Sequence, residues 1–185
     1  MKMNSRDFVF VTGKAFTGKT HFIRAHIDAI PPSRPVYIYD FTYEYGDLVK
    51  KKNVAVYQVM TGSPREIEEF AGHVYDRGNN TTILSESDNY LQSTAPILLA
   101  LVTTGRNRGI NVIVDAKRPM SVRPAWRGRF NRLIMFQTTL PDDIEYLEEW
   151  AGTGPGSLAK LRELKQGEFI EFNLDTQEMS EIKRL

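Results

Sequence analysis

The chain has 185 residues, 41% hydrophobic and 25% charged, with a formal net charge of +1. That length suits one domain with a sizeable core, and the mixture excludes a disordered or fibrous chain. The absence of cysteine excludes disulfides and thiolate metal sites, and no apolar run reaches the roughly 18–20 residues needed to cross a bilayer.

The opening MKMNSRDFVFV lacks the apolar length and small-residue cleavage site of a signal peptide, so it reads as a polar lead into a strand and the protein as cytoplasmic. The first predicted strand is Phe8–Thr12. A glycine-bearing loop follows, then a helix from about Lys19 to Ile30 that the proline run Pro31–Pro35 terminates. Val36–Tyr39 predicts a second strand ending in Asp40, and Val54–Val59 a third. Ser63-Pro64-Arg65-Glu66 has the form of a capping box, with Ser63 as N-cap and Glu66 reaching back, opening a helix to about Asp76.

Gly78-Asn79-Asn80 predicts a turn into a strand at Thr82–Leu84. A helix over about Thr94–Thr104 and buried strands at Ile110–Val114 and Leu133–Phe136 come next. A helix opens near Pro141-Asp142-Asp143, where the acids complement the helix dipole. Ser157–Leu164 reads as a short helix, and Phe169–Phe172 with Met179–Ile182 as an antiparallel hairpin. Strands alternating with helices predict an α/β fold with a mainly parallel sheet, as a single domain over residues 1–185.

Charge is unevenly distributed. Between residues 105 and 132, Arg106, Arg108, Lys117, Arg118, Arg123, Arg127, Arg129 and Arg132 face one acid, Asp115. Such a stripe suits a polyanion, and equally a solvated surface. Three histidines occur, with His21 and His26 five apart on one predicted helix and so off a single face, as in packing or surface roles.

The strongest motif is Gly13-Lys14-Ala15-Phe16-Thr17-Gly18-Lys19-Thr20, which matches G-x-x-x-x-G-K-[ST] in full. Glycines let the backbone curl so that successive N–H groups converge on phosphate oxygens, and the helix behind adds partial positive charge. Lys19 is expected to bridge the β- and γ-phosphates of ATP, Thr20 to ligate Mg²⁺, and His21 to extend the nucleotide-contacting segment. The motif resembles that of P-loop NTPases, and the resemblance implies a RecA-like P-loop NTPase core.

Four further segments resemble the FtsK/HerA superfamily of DNA-translocating ATPases, which includes small viral genome-packaging ATPases. Asp40-Phe41-Thr42-Tyr43-Glu44-Tyr45-Gly46 is similar to the family's D-x-x-x-E-Y segment. Ile83-Leu84-Ser85-Glu86-Ser87-Asp88 stands where the family has its Walker B strand and following acids. Gly105-Arg106-Asn107-Arg108-Gly109-Ile110 with Lys117-Arg118-Pro119 resembles G-R-x-x-G-I followed by T-Q-R-P, and Gly167-Glu168-Phe169 the C-terminal edge.

The resemblance implies a ring, a hexamer, that moves double-stranded DNA without regard to sequence, with a viral capsid or portal component as a further partner. It implies that Glu86 is the catalytic glutamate, that Arg106 is an arginine finger acting on the neighbouring subunit, and that Ser85 holds Mg²⁺ through water in place of the family's aspartate. Lys117 stands where the family carries a γ-phosphate-sensing glutamine. Ser85 and Lys117 therefore bear on the hydrolysis rate more than on binding.

Alternatives stay open at this level. A second register lets Glu86 serve the metal and Asp88 the water. Arg106 is equally placed to cap carbonyls at a helix C-terminus. Lys14 also marks partitioning ATPases of the MinD/ParA type, although Ala15-Phe16 replace their two glycines. A nucleotide-gated assembly protein with weak hydrolysis competes with the motor, and a small-molecule kinase is a third reading.

Overall fold

A computed structural model of the protein describes residues 7–90, 96–122 and 124–185. The polar lead before Asp7, the predicted helix start at Thr94 and the stripe's Arg123 lie outside the described residues.

β1 (Phe8–Thr12) is buried throughout, and its side chains alternate between two cores. Phe8 and Phe10 enter one hydrophobic cluster, Val9 and Val11 the other. This is the signature of a strand covered on both faces. α1 (Lys19–Asp28) packs Phe22, Ile23 and Ile27 into the second cluster. β2 (Val36–Asp40) and β3 (Val54–Gln58) follow, separated by a 3₁₀ turn at Gly46–Lys50.

α2 (Pro64–Arg77) places Ile67, Phe70, Ala71 and Val74 on the first cluster. β4 (Thr81–Leu84), α3 (Pro96–Thr104) and β5 (Asn111–Ala116) come next, then the single turn α4 (Pro124–Arg127), β6 (Arg132–Met135) and α5 (Pro141–Ala151). β7 (Glu168–Asn173), β8 (Glu178–Met179) and β9 (Lys183–Arg184) close the described chain.

The sheet order is β3-β2-β4-β5-β1-β6-β7-β8, with β9 also paired to β7. β1 to β6 run parallel and β7 to β9 antiparallel. The mainly parallel sheet with helices on both faces and antiparallel C-terminal strands is the architecture expected from the sequence. Because β5 lies between β4 and β1, the carboxyl ends of these three strands and of β2 open on one side.

Three local expectations change. The capping box is half realised: Ser63 Oγ accepts from the Glu66 N–H at 3.3 Å. Glu66 itself reaches past Ser63 to the N–H groups of Met60, Thr61 and Gly62 at 2.7–2.9 Å. The tight turn there offers three convergent donors, and Thr61 Oγ1 takes the Ser63 N–H instead. The segment 157–164 forms only a 3₁₀ turn at Ala159–Arg162. The returning hairpin strand splits into β8 and β9 around Ser180, whose N–H bonds Glu171 O at 2.8 Å.

Candidate nucleotide site

The loop 13–18 leaves β1 at the carboxyl edge of the sheet. Gly13 has φ 141°, and a Cβ there would lie 2.7 Å from Phe136 Cβ, so only glycine fits. Gly18 has φ 116° and forms the N-cap of α1. The Lys14 N–H is anchored on Gln137 O at 3.0 Å and the Gly167 N–H on Thr17 O at 2.9 Å, tying the loop to the segments after β6 and before β7. Phe16 at the tip combines φ 64° with 93% exposure, an unusual conformation for a bulky residue.

Lys19 is buried, and its Nζ donates to Gly13 O at 2.8 Å and Lys14 O at 3.2 Å. Burial lowers its pKa, while the nearby Asp115 carboxylate opposes that shift. A cavity of about 310 Å³ opens beside the loop, with Lys19, Thr20 and His21 on one wall and Glu44, Glu86 and Lys117 among the others. Ala15, Phe16 and Gly18 also border it.

Glu86 follows β4 in a left-handed conformation, φ 50°, a strained position of the kind that clusters at functional sites. The turn throws its carboxylate over the cavity to Lys117, Oε2 to Nζ 2.8 Å. That hydrogen bond raises the Lys117 pKa. Asp88 sits just outside, its carboxylate accepting from Lys117 N–H (2.7 Å), Arg118 N–H (3.0 Å) and Ser121 Oγ (2.8 Å). These bonds shape the loop after β5 and leave Asp88 less free than Glu86 to meet a substrate water.

Gly13, Lys14 and Thr17 belong to the loop but not to the cavity lining, and two residues expected in catalysis or at the metal lie away from it. Ser85 is buried, and its Oγ accepts from the Phe41 N–H at 3.0 Å, joining β4 to the segment after β2. Arg106 lies at the opposite, amino edge of the sheet. Its guanidinium packs 4.7 Å from the centre of the Phe8 ring and donates to Arg129 O at 2.6 Å. It caps a carbonyl, but on a different segment from its own helix. β1 alone separates it from its own phosphate loop by about 13–17 Å along the strand.

Two acids here went unassigned from the sequence. Asp115, at the carboxyl end of β5, is buried behind Lys19, with Oδ1 accepting the Glu86 N–H at 3.2 Å. Burial pushes its pKa up to about 7, against the pull of Lys19. A lone acid closing the apolar run Asn111–Ala116 was the available signal. Glu44 Oε2 accepts the Thr20 hydroxyl at 2.6 Å. Of the aromatics after β2 and β4, Tyr45 and Tyr90 are core, and Tyr43 is 57% exposed.

The donor set suits a hard cation beside a bound triphosphate. Thr20, Glu44 and Glu86 present oxygen only, and Mg²⁺ prefers oxygen while keeping several of its waters. No cluster of three or more metal-ligating acids or histidines occurs among the described residues.

The structure is similar to the genome packaging NTPase B204 from Sulfolobus turreted icosahedral virus 2 in complex with ATP-gammaS. The TM-score is 0.82 at 21% identity, over 99% of this chain and 100% of that one. The same protein in complex with AMP gives 0.79 at 20% identity, again over 99% and 100%. EccC (ATPases 2 and 3) from Thermomonospora curvata gives 0.72 at 12% identity, over all of this chain and 37% of that one. No family model and no curated protein matches the sequence. At such identities the likeness establishes a P-loop NTPase fold. No described helix is long and apolar enough to cross a membrane.

Proposed function

We propose that the protein is a ring-forming, Mg²⁺-dependent ATPase that couples hydrolysis to movement of double-stranded DNA, in viral genome packaging. The observation that carries this reading is the full phosphate loop opening onto a cavity shared with Glu86 and Lys117, in a chain matched end to end by a packaging NTPase. Location in a virion or host cytoplasm, and a capsid or portal partner, follow from the same reading.

In this scheme the N–H groups of the loop and the Lys19 ammonium bind the β- and γ-phosphates. Thr20 would hold Mg²⁺, which when bound would supply neutralisation of the charge developing on those phosphates. Glu86 orients the attacking water and takes its proton. Lys117 has two roles in sequence. It pairs with Glu86, and in the reaction it would turn to the γ-phosphate and free the carboxylate. Arg106, too far from its own loop, stabilises transition-state charge in the neighbouring subunit, which makes the ring a requirement of catalysis.

The Glu86–Lys117 ion pair also favours a second reading, a nucleotide-gated assembly protein with slow hydrolysis, because a paired carboxylate is a poor base. Turnover of ATP with and without double-stranded DNA, alongside mass in ATP and Mg²⁺, separates the two. Hydrolysis that DNA stimulates supports the motor. Tight binding with no turnover under either condition overturns it in favour of the gate.

A further inference from the structure

The turn after β2 is built by charges that the hydrolysis scheme leaves unused. Asp40 is fully buried, and its two carboxylate oxygens accept the N–H groups of Glu44 at 3.1 Å and Tyr45 at 2.9 Å. Arg24 of α1 holds the turn from outside, donating to the Glu44 carbonyl and to the Asp47 carboxylate at 2.6 Å. Tyr43 adopts φ 61° with its hydroxyl on Val59 O at 2.7 Å. So many restraints on six residues fix where Glu44 points. It points at Thr20.

When Thr20 donates its proton to Glu44 Oε2, the hydroxyl lone pairs remain for a metal ion on the cavity side. A partner that orients a metal ligand and raises its basicity is the usual complement of a metal site. The other wall gives no such partner. Ser85, at the end of β4, carries no charge and is turned to the Phe41 N–H. Asp115 is set behind Lys19 and bonded to the Glu86 N–H, outside the cavity lining.

We propose that Glu44 is the carboxylate that positions Mg²⁺ in this site, acting through Thr20 and metal-bound water from the turn after β2 instead of from the end of β4. The inference rests on the Mg²⁺–ATP reading above. It moves the balancing negative charge from one strand end to another, and it gives the Asp40–Tyr45 turn a purpose beyond folding.

The test uses a fluorescent, non-hydrolysable ATP analogue, with metal affinity read from Mn²⁺ spin resonance and from Mg²⁺ titration of nucleotide binding. Glu44 is exposed, and Glu44→Gln preserves its shape. The variant should bind the analogue in chelator as the wild type does, with metal affinity of the complex down about 10- to 100-fold. Ser85→Ala should keep wild-type metal affinity. Metal affinity within twofold of wild type in Glu44→Gln overturns the proposal, as does a loss that appears equally in chelator. A wild-type protein that binds no nucleotide in either condition overturns the nucleotide reading itself, and this inference with it.

Discussion

The two edges of the sheet use charge in opposite ways. At the amino edge, Arg34 and Arg108 donate mainly to backbone carbonyls. Arg34 donates to Asn80 O at 2.6 Å, Gly109 O at 2.7 Å and Thr81 Oγ1 at 3.0 Å, sewing together the starts of β2, β4 and β5. Arg108 likewise caps Tyr75 O and Asp76 O at the end of α2. At the carboxyl edge, Lys19, Glu44, Glu86 and Lys117 converge on an open cavity. Similar charges therefore build one edge and equip the other, and the difference is whether each borders a space for ligand, as Lys19 does even while it donates to two loop carbonyls. Arg106 stands between the two cases, with one carbonyl and one aromatic face.

Lys19→Ala tests the equipped edge most severely. Its charge serves the phosphates, so nucleotide binding measured by calorimetry should vanish while the circular dichroism spectrum stays native. A folded variant with normal affinity would remove the cavity from the argument.

Arg106→Ala decides to which edge that residue belongs. Acting in a neighbour, it should leave ATP binding intact and lower turnover on the order of 10³-fold or more. Mixing it with Lys19→Ala should recover activity, because some wild-type loops then face a wild-type Arg106. Reduced thermal stability with normal turnover, and no rescue on co-assembly, would place it with Arg34 instead.

Glu86→Gln should keep affinity and slow hydrolysis by about 10²- to 10⁴-fold. If Asp88→Asn produced that effect and Glu86→Gln did not, the second register would be right. At the built edge, Arg34→Ala should change stability and not chemistry, by about 2–4 kcal/mol in denaturant unfolding.

The smallest effect lies away from the cavity, in the turn after β3. Burial would raise the Glu66 carboxyl, but the N–H groups of Met60, Thr61 and Gly62 and the Thr61 hydroxyl bring it down to about 2. A depressed carboxyl adds stability above its unfolded value near 4.5 and loses it as pH falls toward 2. Glu66→Gln should therefore flatten the acid limb of stability in that window, by about 1–2 kcal/mol.

The phosphate loop was legible because its chemistry is contiguous: eight adjacent residues carry the glycines, the lysine and the hydroxyl. The strand and helix order was legible from periodicity. Glu44, Asp115 and Arg34 were not, since their roles depend on the sheet order that sets β5 between β4 and β1 and β2 beyond β4. Ser85 shows the converse. The resemblance put it at the metal, and the fold sets its Oγ to accept the nearby Phe41 N–H. The capping box misled by its reach, because a turn four to six residues upstream offered Glu66 more donors than Ser63 did.

The contact between β9 and the phosphate loop has a mechanical consequence. A Cβ on Gly18 would lie 2.9 Å from Leu185 Cδ1, and the Leu185 N–H bonds Gly167 O at 3.0 Å, while the Gly167 N–H holds Thr17 O. Tension on Leu185 would thus reach Gly18 and Thr17 within two links, alongside the pairing of β9 with β7. An affinity handle or surface tether attached there would tug on the grip for phosphate, whereas one attached ahead of Asp7 would pull at the opposite edge of the sheet.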